Sequence, residues 1–415
     1  MIHKVSQPSK IHFSHLLAIG ECVNLIFNEK YLADRALEYV LKEDKRRGTK
    51  DRAFIAEHVY TLVRHWRLLR HCAQLPHQDT QAHFSDGEIW RTMAVLLNWE
   101  GYSVQQFRET AEAAHYPLPT ESDLEAMPLA LRYSLPDWLF EYLKTELSIE
   151  QLKNELWAQT QQAPLFVRAN TLKTTALELK KYFTELNIPC SLVGESYPDA
   201  LRIHSRTNIM ATGAFKNGFF EVQDLSSQTV APLLSPQPHE RVLDACAGAG
   251  GKTLHLAAIM QNTGKIIALD TESKRLKELE RRMLRGGIEN VEIRTIDSSK
   301  TIKRLEGSMD AVLLDVPCSG LGVLRRNPDA KWRLTPNRIQ DLKNTQSQIL
   351  RDLHKTLKPH GRLLYATCSI LPSENAIQVK TFLDQNPQFE LVAESQLFTQ
   401  ADSGDGFYKA LLQKI

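Results

Sequence analysis

The sequence predicts a doubly wound parallel α/β domain that follows a helical N-terminal domain and a small α+β module. Three observations carry this. From about Val242 onward, apolar β-rich runs at 241–244, 265–270, 291–294, 311–315 and 362–367 alternate with helical stretches, as in a parallel sheet covered on both faces. The first of these runs enters a glycine-rich loop and then a helix. Before about residue 160 the alternating apolar pattern of strands is missing. A chain of 415 residues, 42% hydrophobic and 24% charged, has room for two or three domains with proper cores. Boundaries are expected at 1–160 (helical), 161–235 (α+β) and 236–415 (doubly wound).

In the first domain the clearest segment runs from Asp51 to about Cys72. Ile55, Val59, Leu62, Trp66 and Leu69 recur at spacings of four and three, and so fall on one stripe of a helix. Arg52, Arg64, Arg67 and Arg70 project onto an adjoining face, next to the basic stretch Lys45-Arg46-Arg47-Gly48-Thr49-Lys50. Together these could meet phosphates; charge alone equally describes a solvated face. Near 133–139, proline punctuates the region, Asp137 or Ser134 is placed to cap the next helix, and Trp138 reads as a packing residue.

After Pro164 the pattern shifts to a short strand at 165–170, a helix from about Thr175 to Leu186, and further short strands near 191–193, 201–203 and 219–222. This reads as a small α+β module.

The six cysteines are scattered, with no CxxC pair and no Cys/His cluster at metal-ligand spacing, so no metal site is expected and a reduced cytoplasmic compartment is the simple reading. The N-terminus lacks a signal-peptide core, and no stretch approaches the roughly 20 apolar residues that span a bilayer. The protein is expected to be soluble, with no membrane partner. Without a self-complementary helix or heptad array, a monomer is expected.

Strand Val242-Leu243-Asp244 runs into Ala245-Cys246-Ala247-Gly248-Ala249-Gly250-Gly251-Lys252-Thr253, with a helix beginning near Leu254. Glycines let the backbone turn tightly and approach a ligand, and the helix N-terminus offers free amides. Gly251-Lys252-Thr253 matches the end of a phosphate-cradling loop, but Cys246 stands where the required first glycine would be. The dinucleotide fingerprint is also incomplete, because its sixth position, counted from Gly248, is Thr253. Acidic residues follow at successive strand ends. Asp270 is placed to accept from ribose hydroxyls, Asp297 from an adenine amino group, and Asp315 closes the fourth strand. Carboxylates in that series suit a neutral adenosine carrying a cationic sulfonium better than a polyphosphate, which makes S-adenosylmethionine the natural cofactor. Each aspartate alone reads equally well as a helix cap.

Cys318 and Cys368 end two apolar runs about fifty residues apart. If both runs are strands of one parallel sheet, both thiols emerge at its C-terminal edge, where such folds bind ligands.

At these residues the chain resembles the RsmB/Sun family of RNA 5-methylcytosine methyltransferases. The resemblance rests on the 246–252 loop, Asp315-Val316-Pro317-Cys318-Ser319-Gly320-Leu321-Gly322, Thr367-Cys368-Ser369 with Glu374-Asn375, and Asp405-Gly406-Phe407-Tyr408. It extends upstream through Val167–Lys173 and Val222–Gln228, and the Asp51–Arg70 segment looks like the NusB-type RNA-binding domain of the ribosomal-RNA members. One departure is Ala249, where the family commonly carries proline.

The resemblance implies a Rossmann-like class I S-adenosylmethionine-dependent methyltransferase with a helical NusB-like N-terminal domain, acting on RNA and in particular on small-subunit ribosomal RNA. Carbon 5 of cytosine is a poor nucleophile, and adding a thiolate at carbon 6 makes it enamine-like. The resemblance implies Cys368 as that nucleophile, Cys318 as the residue that helps release the product, and Asp315 as the group that bonds ring nitrogen 3. Cys246, Ala247, Gly248, Ala249, Gly250, Gly251, Lys252, Asp270, Asp297 and Asp315 would hold the cofactor. A free thiol has a pKa of about 8.5, so the site must favour thiolate, and Lys252 or a strand-end amide is placed to contribute. The basic loop Arg325–Arg333 with Trp332 could pass RNA phosphates or wall a flipped base; an ordinary surface loop fits it too.

Several alternatives stay open. DNA cytosine methyltransferases use a thiol in a Pro-Cys context, which would give the attack to Cys318. A transfer-RNA target would use the same chemistry. A catalytically silent RNA-binding assembly factor would need neither thiol, and a nicotinamide-dependent oxidoreductase would leave both unexplained.

Overall fold

The computed structural model describes residue 2 and residues 11–76, 83–103, 116–205 and 207–415. Parts of the expected helical domain, 77–82 and 104–115, lie outside the described residues. The chain divides into two compact units, one of Met1–Gln161 with Leu324–Pro336, the other of Gln162–Val323 with Asn337–Ile415. Among the described residues, no helix is long and apolar enough to cross a membrane.

The first unit is built on α1 (Phe13–Phe27), α2 (Ala33–Glu43), α3 (Thr49–Cys72) and α4 (Asp86–Glu100). The stripe read from the sequence is its core. Ile55, Val59, Leu62, Trp66 and Leu69 are buried with Ile19 and Val23 of α1 and Met93 and Leu96 of α4. The start of α4 is fixed by a capping box in which Ser85 Oγ accepts from Glu88 N, and Glu88 returns the bond to Ser85 N at 2.9 Å.

The arginine face of α3 is largely internal, which corrects the expectation of a phosphate-binding surface. Arg67 Nη1 donates to Leu135 O and Asp137 Oδ1, buried Arg70 pairs with Glu88 at 2.9 Å, and burial pushes the Arg64 guanidinium down to about 10. The expected caps also have other work. The helix Asp137–Glu146 starts after Pro136 with no side-chain cap, and Ser134 Oγ instead accepts from Leu68 N at 2.9 Å.

That bond answers a kink. His65, with φ −110° and ψ 19°, interrupts α3. Leu68 N and Arg64 O, which a regular helix would pair with each other, bond to Ser134 Oγ and to Lys331 Nζ (2.8 Å). Lys331 comes from the segment expected as an exposed basic loop. Arg325 and Lys331 are buried, Trp332 Nε1 donates to Val63 O at 2.8 Å with its ring 5.9 Å from that of Phe27, and Asp329 accepts from Ala33 N. The carbonyls of Val63 and Arg64 at the kink are satisfied by this segment, and Leu68 N by Ser134.

The second unit holds two sheets. The smaller is antiparallel in the order β2-β3-β1-β4, from β1 (Leu165–Ala169), β2 (Cys190–Leu192), β3 (Ala200–Ile203) and β4 (Phe220–Val222). The helix Ala176–Glu185 lays Leu179 and Phe183 against Val167, Leu201 and Phe220. The larger contains β5 (Arg241–Asp244), β6 (Lys265–Asp270), β7 (Val291–Thr295), β8 (Met309–Asp315), β9 (Leu357–Thr367), β10 (Phe389–Leu397) and β11 (Phe407–Lys414), in the order β10-β11-β9-β8-β5-β6-β7. The five strands expected from the sequence are mutually parallel, while β11 and β10 add antiparallel at the β9 side.

Those last two strands are absent from the sequence reading. β10 is an edge strand with Leu391 and Val392 exposed, and a register shift between Leu391 and Ala393 breaks the two-residue alternation.

Candidate active site

β5 has β6 on one side and β8 on the other, and the chain visits β6 and β7 before returning through β8 to β9. The crevice beyond the ends of β5 and β8 is therefore the switch point of the sheet, where doubly wound folds take their ligands. A cleft of about 680 Å³ opens there, and Asp244 and Asp315, the last residues of the two strands, both line it.

The loop after β5 folds by glycine. Gly248 (φ +54°) and Gly250 (φ +85°) take left-handed conformations before the helix Gly251–Ile259. A Cβ on Gly250 would sit 2.1 Å from Leu279 Cδ1, so only glycine lets the loop lie against the helix Ser273–Gly286; a Cβ on Gly248 would meet nothing within 4 Å.

Two fasteners hold the loop. Gly248 N donates to Asp270 Oδ2 at 2.8 Å, and Arg282, paired with Glu221 at 2.9 Å, donates to Ala249 O at 2.8 Å. Asp270 Oδ1 also accepts from Glu272 N. Each carboxylate oxygen offers a second acceptor direction, so Asp270 can fasten the loop and still receive ribose hydroxyls.

Eleven of the twelve residues expected at the cofactor or the reacting base border the cleft: Cys246, Ala247, Gly248, Ala249, Gly250, Gly251, Lys252, Asp270, Asp315, Cys318 and Cys368. Asp297 is not among the lining residues; it is exposed just past β7, and the neighbouring Ile296, with Ile302, forms an apolar wall suited to an adenine face. Thr345, Gln348, Ile349 and Asp352, which lie outside the motifs named above, also line the cleft, from the helix Pro336–Leu353. Their spacing of three, one and three marks one helical face, a signal that was readable. An apolar wall, open glycine backbone and a carboxylate at the ribose position fit an adenosyl cofactor.

The comparisons with known proteins agree. Residues 231–413 match the family described as 16S rRNA methyltransferase RsmB/F, and residues 135–210 match its ferredoxin-like domain. A probable ribosomal RNA small subunit methyltransferase B from Synechocystis sp. is 35% identical over 310 residues, 70% of this chain and 69% of that protein. The ribosomal RNA small subunit methyltransferase B of Yersinia enterocolitica is 34% identical over 68% of this chain and 67% of its own length. The chain belongs to the RsmB/F family of RNA methyltransferases. The crystal structure of PH0851 superposes with a TM-score of 0.84 at 25% identity, covering 98% of this chain and all of that one. A methyltransferase homologue from Pyrococcus horikoshii superposes with a TM-score of 0.62 at 28% identity, covering 72% of this chain and all of that one. The fold is that of an S-adenosylmethionine-dependent methyltransferase, and S-adenosylmethionine is the cofactor of the family.

Within this RsmB/F cleft the thiols meet. Cys318 Sγ and Cys368 Sγ lie 3.3 Å apart, both half-buried. The hydrogen bond to Cys368, then burial, push the Cys318 thiol well up, and either sulfur can donate in the contact between them. Cys246 is also pushed well up, by burial first and then by Asp244, Asp315 and Asp270, which keeps that loop thiol protonated and inert.

Lys252 Nζ bonds Asp315 Oδ2 at 2.7 Å and lies 5.2 Å from the centre of the Phe407 ring. Burial alone would lower its pKa, but Asp315 and then the nearby Cys368 outweigh burial and raise it. A permanent cation thus stands beside the two thiols, and the Asp405–Tyr408 motif contributes the ring beneath it.

Proposed function

We propose that this chain methylates carbon 5 of a cytosine in RNA, specifically in small-subunit ribosomal RNA, through a covalent cysteine adduct. The observation that carries the reading is the pair of thiols 3.3 Å apart, beside the Lys252–Asp315 ion pair, at the rim of the adenosyl loop. A metal-free binding module has no use for two thiols so placed.

In this reading Cys368 is the nucleophile. Its Sγ forms a bond to carbon 6 of the base while the electron pair of the 5,6 double bond moves toward carbon 5 and ring nitrogen 3. Lys252 favours the thiolate by its charge, and Cys318, which keeps its own proton, can donate a hydrogen bond to it. Asp315, held in place by Lys252, donates once protonated to ring nitrogen 3, where negative charge accumulates. S-adenosylmethionine, bound by Cys246–Lys252 and Asp270, supplies a methyl group as the electrophile. Cys318, once its own proton has passed to solvent, takes the carbon 5 proton; the electrons of that C–H bond re-form the 5,6 double bond, and the Cys368–carbon 6 bond breaks with its electrons returning to sulfur. This division of labour is the one that the family resemblance implies.

The ribosomal target is supported by the relatives, which are small-subunit ribosomal RNA methyltransferases, and the helical unit is proposed to help hold the RNA. Lys45, Arg46 and Lys50 are exposed on its surface, in keeping with that role.

The test is to incubate the protein with labelled S-adenosylmethionine and either undermethylated small-subunit ribosomal RNA or transfer RNA, and to map the modified bases. Label at a ribosomal cytosine, abolished by Cys368→Ala, supports the reading. Label confined to transfer RNA overturns the target, and no transfer to either RNA overturns the enzyme. Cys318→Ala should accumulate a covalent protein–RNA adduct; accumulation in Cys368→Ala would reverse the two roles.

A further inference from the structure

Directly beneath the two thiols is a buried polar cluster with no place in the chemistry described above. The chain carries the tetrapeptide Cys-Ser-x-Leu twice, as Cys318-Ser319-Gly320-Leu321 and Cys368-Ser369-Ile370-Leu371, each following one of two adjacent parallel strands. The two copies fold alike. In each, the serine hydroxyl accepts from the leucine N–H two residues on, at 3.4 Å for Leu321 and 3.0 Å for Leu371. Each hydroxyl then donates to the same atom, Glu374 Oε2, both at 2.5 Å. The other oxygen, Oε1, accepts from Ser319 N at 2.9 Å and from Gln346 Nε2 at 3.0 Å.

Glu374 is fully buried, as is Ser369, and Ser319 nearly so. Four donors satisfy the carboxylate, and the two hydroxyl bonds have the short length of charge-assisted ones. Such a group is at best neutral for stability when compared with a well-packed apolar side chain. What it does, and an apolar residue does not, is tie two separate loops to one point. Its own place is fixed as well. Tyr365 OH donates to Glu374 O at 2.6 Å, and the neighbouring Asn375 binds Ser369 O at 2.9 Å and Thr367 Oγ1 at 2.5 Å.

We propose that Glu374 is the positioning residue of the site, a single clamp that sets Cys318 and Cys368 in register through Ser319 and Ser369. The two hydroxyls also lie 3.2 Å from each other, but each serine is the chain neighbour of one thiol only, so removing one hydroxyl weighs most on the step of its own thiol. This rests on the proposed cysteine chemistry, and displacements of reacting atoms by about 1 Å cost such reactions up to ~10²-fold in rate.

Four measurements on the full chain test it: S-adenosylmethionine affinity by calorimetry, the single-turnover rate of RNA adduct formation, the rate of adduct release, and the rates at which iodoacetamide alkylates Cys318 and Cys368, mapped by mass spectrometry. Ser369→Ala should slow adduct formation by about tenfold or more and change the alkylation rate of Cys368. Ser319→Ala should leave formation within about twofold but let the adduct accumulate, and change alkylation at Cys318. Glu374→Gln should do both, with cofactor affinity unchanged in all three variants. Three variants with wild-type rates would overturn the clamp. Loss of cofactor binding together with both steps in all three would also overturn it, by marking a purely structural cluster. If the wild-type protein forms no RNA adduct, the proposed function fails, yet the alkylation rates still decide whether Glu374 sets the two thiols.

Discussion

Asp244 shows what position does to a single residue. At the end of β5 it is 1% exposed, accepts from Thr253 Oγ1 at 2.7 Å, and is raised to about 7, by burial first and by Asp315 further down, with Thr253, Lys252 and the backbone of Cys246 opposing. An unfolded aspartate titrates near 3.8. The folded state therefore holds the proton more tightly, and this contribution to stability is fully present below about pH 4 and lost as pH rises through about 7. Asp244→Asn should flatten the fall in stability between those limits by a few kcal/mol, read as denaturant midpoints of the two proteins at pH 5 and pH 7.5. Lys252 makes a second residue-level case. Lys252→Met removes the cation next to the thiols and should lower the rate of adduct formation by about 10²-fold, with a parallel drop in Cys368 alkylation at neutral pH.

At the scale of elements, the cofactor loop is held from outside itself. Its glycines were legible as turn-formers, but the reason Gly250 must be glycine is Leu279, twenty-nine residues on, which a Cβ would strike. Gly250→Ala should destabilise the chain by roughly 2 kcal/mol through strain at positive φ and displacement of that helix, measured by thermal unfolding. Arg282→Ala should leave the fold intact and weaken S-adenosylmethionine binding by about tenfold, read by calorimetry, because Ala249 O loses the donor that steadies a loop without the family's usual proline. The same scale explains what the sequence hid. The strand periods of β5 to β8 were readable because buried parallel strands are nearly continuous apolar runs. β9 begins five residues earlier than expected because His360 (φ +61°) and Gly361 interrupt its pattern; β10 is an edge strand with no single buried face to repeat, and β11 is an inner strand whose apolar run is broken by Lys409.

For the molecule as a whole, the segment Leu324–Pro336 matters most. It lies in sequence between β8 and β9 of the larger sheet, yet it belongs to the helical unit, where Lys331 and Trp332 serve carbonyls next to the α3 kink. Trp332→Ala should therefore destabilise the protein by roughly 3 kcal/mol in chemical unfolding, as loss of a packed aromatic and not of an RNA contact. The basic residues left for RNA are those that remain exposed. Lys45→Ala with Lys50→Ala should reduce the slope of log K against log salt for RNA binding by about 1 to 2, with unfolding midpoints unchanged.

The sequence by itself determined the five parallel strands in their order, the glycine loop and the two thiols, because local periodicity and short motifs depend only on neighbours along the chain. It also carried the family resemblance. Only the tertiary structure decided which arginines are inside, where Trp332 belongs, that Asp297 stands outside the cleft, and that both Cys-Ser-x-Leu turns close on Glu374. Those are contacts between residues tens to hundreds of positions apart. Burial and hydrogen-bond satisfaction there are set by what the fold brings alongside, and no local pattern records it.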